Sequence, residues 1–162
     1  MKIIFEIKSK KILGDIDEFI DEELPPFQYS LEELRRYVAG EIILVLNNEH
    51  QINFDMYPDL IVSFEEVVGS IQRAKSGWIG EDYIWFCEQG RDIYLYYEID
   101  DSSIGLSYTK GDEISKGKGD RPSPKFEVKI KKEDYIKEWE KLFLCICELF
   151  SEKLGKIISM PF

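Results

Sequence analysis

Three short runs in the middle of the chain, residues 82–87, 93–99 and 104–109, constrain the fold most. Each is rich in β-branched and aromatic residues, the composition of a strand. Gln89, Gly90 and Arg91 supply a turn between the first two, and residues 101–103 a turn between the last two. Connections that short join antiparallel neighbours, so the block reads as a meander. A hairpin precedes it. Residues 41–46 are β-rich and apolar on both faces, as in a central strand, and residues 47–51 turn the chain toward a second strand at 52–55. Phe126, Val128 and Ile130 alternate with Glu127 and Lys129 as a further half-buried strand, and residues 1–7 read as a short one.

Helical signals surround these strands. Asp15 with Glu18 caps a segment whose apolar set is Ile16, Phe19, Ile20 and Leu24, and Pro25 with Pro26 stops it. Ser30 opens a second short helix that ends at Gly40. Ser63 with Glu66 forms another capping box, ahead of Phe64, Val67, Val68 and Ile71, with Gly77 as the stop. The longest helix spans 133–154, with a stripe of Ile136, Trp139, Leu142, Phe143, Ile146, Leu149 and Phe150. Residues 142–147 are apolar all round, which predicts burial at mid-length under a second layer or at a dimer seam. Helices before, between and after grouped strands predict an α+β fold. The expectation is a single domain over residues 1–162: an antiparallel sheet, meander plus hairpin, packed on the long C-terminal helix, with shorter N-terminal helices. A chain of 162 residues buries roughly 70% of its unfolded surface, enough for one core. Residues 111–125 are polar, with three glycines, two prolines and no period, and read as a mobile loop of the kind that often hosts function.

Several function classes are excluded by what the chain lacks. The longest apolar runs, 42–46 and 142–147, fall far short of the about 20 residues a membrane helix needs. Ile3, Ile4 and Phe5 are interrupted by Glu6, so no secretory apolar core of roughly 7 to 15 residues is present, and a cytoplasmic location is expected. Cys87, Cys145 and Cys147 sit in apolar surroundings and read as buried hydrophobes in a reducing compartment. Cys145 and Cys147 point roughly 200° apart on a helix, which spoils a shared metal. His50 is the sole histidine, so no zinc motif or hydrolase triad can be drawn, and it reads as an exposed turn residue. A calcium loop starting at Asp15 fails at Phe19, Ile20 and Pro26; a phosphate loop at Gly111 fails because Gly119 follows Lys118 where a hydroxyl residue is needed. The adjacent acids Glu81 with Asp82, or Asp100 with Asp101, point to opposite faces or lie in turns. No catalytic residue, metal or cofactor is therefore expected. An isoelectric point near 4.7 repels phosphate and anionic lipid, which argues against nucleic acid or a membrane as partner.

Charge instead locates a candidate surface. Residues 41–101 hold thirteen acids against three bases (Arg73, Lys75 and Arg91), a net −10 of the total −11. Residues 103–162 carry ten acids and twelve bases, so the excess is regional and the molecule is expected to be dipolar. If Ile93, Leu95, Tyr97 and Ile99 face the core, Tyr94, Tyr96, Glu98 and Asp100 face out, and Ile84 and Phe86 facing in leave Tyr83 and Trp85 out. With Asp101 in the following turn, this predicts a partner-binding face of Tyr83, Trp85, Tyr94, Tyr96, Glu98, Asp100 and Asp101. Tyrosine and tryptophan give large rigid contact area and carboxylates accept bidentate arginine, as a basic protein partner requires. The competing expectation is that the N-terminal helices cover this face as a second core layer.

Small size, acidity, the hairpin at 41–55 followed by Pro58-Asp59-Leu60 and a capped helix, the meander, and the terminal strand-helix unit at 126–150 resemble the small acidic immunity proteins of bacterial polymorphic and contact-dependent toxin systems. The resemblance spans most of the chain. Such families share architecture and composition rather than a fixed motif, so no functional residue is carried over. What the resemblance implies is a stoichiometric inhibitor of a cognate toxin domain, without cofactor or turnover. The alternative is a small enzyme or ligand-binding domain using residues 111–125 as a lid. Both a monomer and a homodimer fit the sequence.

Overall fold

The computed structural model describes residues 1–9, 20, 23–87, 92–110 and 126–162. The helix expected from Asp15, the turn at 89–91 and the loop at 111–125 lie outside the described residues.

The strands divide between two antiparallel sheets rather than one. In the first, β1 (Lys2–Ser9), β2 (Val38–Val45) and β3 (Gln51–Asp55) lie in sequence order, with Glu41 opposite Asp55 in the hairpin. β2 is central, which explains its apolar residues on both faces: Val38, Ile42 and Leu44 are buried, while Ile43 and Val45 are half-buried on the outer side. In the second, β4 (Gly80–Phe86), β5 (Ile93–Ile99) and β6 (Ser103–Lys110) form the meander, and β7 (Val128–Lys131) joins β6. Stacking of Phe54 on Phe86, ring centres 4.4 Å apart, ties the sheets together.

The helices complete an α+β domain. α1 (Pro26–Leu34) connects β1 to β2, α2 (Phe64–Ser76) connects the sheets, and α3 (Lys132–Leu149) continues into one wider turn, Phe150–Leu154. α1 begins four residues earlier than Ser30 suggests, because proline at the first helical position lacks only an N–H that the helix would not use. Ser30 is buried inside it. Residues 38–40, read as a helix end, are strand because they pair with Ile7, Lys8 and Ser9 of β1. α2 does begin at Phe64 and close at Gly77, whose φ of 77° is a left-handed value that glycine takes without a Cβ clash. The capping box itself does not form. Ser63 Oγ donates to the Asp59 carbonyl at 2.9 Å, and the Glu66 carboxylate accepts the Trp85 N–H at 2.6 Å.

Phe27 packs against Phe64, Phe143 and Phe150, joining α1 to α2 and α3. Between α2 and α3, Ser70 Oγ meets the buried Tyr135 hydroxyl at 2.7 Å. Glu138 of α3 accepts the Ile3 N–H of β1 at 2.9 Å, satisfying a donor on an edge strand. Burial alone would raise the Glu138 carboxyl; hydrogen bonds from Lys141 and Ile3 outweigh it and hold the group below its ordinary value. α3 is buried on one face rather than all round: Leu142, Phe143, Ile146 and Leu149 are inside, while Leu144 and Cys145 are exposed. Cys87 and Cys147 are half-buried, so none of the cysteines is a fully buried core residue. No helix among the described residues is long and apolar enough to cross a membrane.

Candidate partner-binding surface

Alternation along β4 and β5 places Ile84, Phe86, Leu95, Tyr97 and Ile99 in the core and turns the intervening residues outward. Register then sets Tyr83 opposite Tyr96 and Trp85 opposite Tyr94. The four rings form one array. Trp85 stacks on Tyr94 at 5.5 Å, Tyr83 contacts Tyr94 at 5.6 Å and Tyr96 at 6.1 Å, and Tyr94 and Tyr96 lie 6.3 Å apart. Tyr83 and Trp85 are 43% and 39% exposed, and Tyr94 and Tyr96 are half-buried. α1 does not cover them, since it packs through Phe27 on the opposite aromatic cluster. Cross-strand aromatic pairs contribute about 0.2–1 kcal/mol each, so part of the array's effect is on the sheet itself.

The acids are placed less uniformly. Glu98 is exposed and continues the row, opposite Glu81. Asp101 is exposed in the β5–β6 turn. Asp100 accepts Lys129 Nζ at 2.7 Å and Ser103 Oγ at 3.1 Å, and these contacts hold its carboxyl below the ordinary range. It is thus engaged by β7 rather than free for a partner. Asp92, which sequence reasoning passed over, accepts the Trp85 indole N–H at 2.7 Å and so fixes the ring's orientation. Burial, then the charge of Asp92, pushes the Tyr94 phenol above its ordinary value. Lys129 and Lys131 are exposed on β7, so the sheet is acidic and aromatic at β4–β5 and basic at its far edge.

Beside the array, α2 runs along the open edge of β4. Its Glu66 takes the Trp85 N–H, and its Arg73 pairs with Asp82 while donating to the Tyr97 hydroxyl at 2.5 Å. The Arg73 guanidinium also lies over Trp78, 5.4 Å from the ring centre. Between helix and strand a cleft of about 250 Å³ is lined by Glu65, Glu66, Gly69, Arg73, Asp82 and Tyr83. The signal for it in the sequence was a glycine inside the helical run. The lid reading would place a pocket beside residues 111–125, which lie outside the described residues; this cleft opens between α2 and β4. His50 is half-buried rather than an exposed turn residue: its ring stacks on Phe126 at 3.7 Å, and Nδ1 lies 3.0 Å from Asn47 Oδ1. Among the described residues no group of three or more histidine, cysteine or acidic side chains is arranged to hold a metal ion.

No family model matches the chain, and no curated protein does. A chain from the "CdiA-CT/CdiI toxin and immunity complex from Enterobacter cloacae" is similar to it over 87% of this chain and 99% of that one, with a TM-score of 0.41 and 10% identity. A likeness at that level leaves function to be argued from the surface.

Proposed function

We propose that this chain is a cytoplasmic protein-binding inhibitor, an immunity protein that neutralises a cognate basic toxin domain by occupying it. The observation that supports this reading is the stacked array of Tyr83, Trp85, Tyr94 and Tyr96, partly open to solvent within residues 41–101, which carry a net −10. Scattered exposed aromatics are ordinary, but a contiguous group fringed by carboxylates has the composition of a binding hot spot for an arginine-bearing surface. In this reading the four rings are anchors, and Glu98 and Asp101 steer and pair. Asp100 joins only by exchanging Lys129 for a partner's cation. The regional charge of −10 attracts a basic protein before contact, so the association rate falls steeply as salt is raised; a flat profile would count against steering.

The test is co-expression with the gene product encoded next to this one. Rescue of growth and co-purification are expected for the native chain and lost in a soluble Trp85→Ala, Tyr94→Ala double variant. Undiminished rescue by that variant would overturn the reading.

A further inference from the structure

We infer that the cleft between α2 and β4 is a socket for one arginine side chain of the protein partner, contiguous with the aromatic array. The inference rests on the binding reading above and adds the position and chemistry of a contact that reading does not contain.

Gly69 is the first reason. It lies inside α2, where glycine is disfavoured, yet a Cβ built there meets no atom within 4 Å. Nothing in the fold therefore requires glycine, and the space above it is the cleft. Size is the second. About 250 Å³ is below the roughly 300–1,000 Å³ of small-molecule sites, but ample for one long side chain. Charge is the third. Glu65, Glu66 and Asp82 face one guanidinium, Arg73, which is already paired with Asp82, so the lining carries a net −2. The last reason is continuity. Tyr83 lines the cleft and its ring contacts Tyr94 and Tyr96, so a chain anchored on the array can send a side chain directly into it.

Arginine fits this lining better than lysine, because a planar guanidinium stacks on tyrosine and bonds carboxylates through two N–H groups. The edge already holds one such cation: Arg73 lies over Trp78 with Asp82 and the Tyr97 hydroxyl as acceptors.

The probes are a hexa-arginine and a hexalysine peptide, titrated against the whole protein while following the Gly69 amide by NMR. Hexa-arginine should shift that amide and bind about tenfold tighter than hexalysine, and Gly69→Leu, which fills the cleft with a good helix former, should weaken hexa-arginine about tenfold without lowering the melting temperature. Equal binding of the two peptides, or native affinity in Gly69→Leu, would overturn the socket. Should Gly69→Leu fail to fold, Glu65→Gln on the rim carries the same sign, and native affinity there has the same consequence. Co-expression separates the two proposals. Rescue lost in the Trp85→Ala, Tyr94→Ala variant but intact in Gly69→Leu rejects the socket and leaves the aromatic dock, whereas rescue intact in both rejects both.

Discussion

The two sheets each turn one face inward, and their outward faces differ: the first carries a polar network beside the half-buried Ile43 and Val45, the second a group of stacked rings. On the first, Lys8 pairs with Glu41 at 2.7 Å, Asn53 reaches the same carboxylate at 3.3 Å, and Gln51 bonds Asn53 at 3.3 Å. On the second, four aromatic rings occupy the corresponding space on β4 and β5. Both sheets are antiparallel and belong to one domain, and the outer face of the first is built from that polar network and the half-buried aliphatics Ile43 and Val45, without stacked rings. The aromatic array on the second sheet has no counterpart on the outer face of the first, and that difference supports the proposal that it serves recognition.

The sharpest way to break this comparison uses two neighbours on one strand. Phe86→Ala removes a buried ring stacked on Phe54 and should lower stability by about 3–5 kcal/mol in urea denaturation. Trp85→Ala, one residue away on the outer face, should lower stability by about 1 kcal/mol or less, yet weaken the partner complex by about 2 kcal/mol, roughly 30-fold. Comparable losses of stability from both would mean that the array is core. Gly69→Ala should raise stability by about 0.5–1 kcal/mol, because the added methyl meets no neighbour and the helix prefers alanine. A smaller, pH-dependent effect is expected at Glu138. Its folded carboxyl lies below the ordinary 4.5, so its contribution is present above that value and is lost as pH falls through the folded pKa. Glu138→Gln should therefore melt below the native protein at pH 7, with the gap closing in acid; a gap that widens in acid would contradict the Glu138 contact with Ile3.

How far the sequence was legible depended on whether local pattern or distant pairing decided each element. β4 and β5 were readable because alternation sorts inside from outside without knowledge of neighbours, and burial of Ile84, Leu95 and Tyr97 follows it. The division into two sheets was not, because it rests on pairings such as Ile7 with Gly40 and on the Phe54–Phe86 stack, which periodicity does not encode. The boundary of α1 was missed for the same reason: residues 38–40 suit a helix end locally but join β1 across the sheet. The candidate surface was legible in its aromatics and less so in its acids. Spacing placed Asp100 outward, but only the β6–β7 pairing brings Lys129 to it, and only the packing of α2 against β4 brings Glu66 and Gly69 beside Tyr83.

The central claim is most directly tested by calorimetric titration of the neighbouring gene product with matched double variants of the two outer faces. Lys8→Ala with Glu41→Ala on the first sheet should leave affinity within about threefold of native, while Trp85→Ala with Tyr94→Ala on the second should weaken it at least about 30-fold. Equal effects from the two sheets, or a larger loss from the first, would contradict the account.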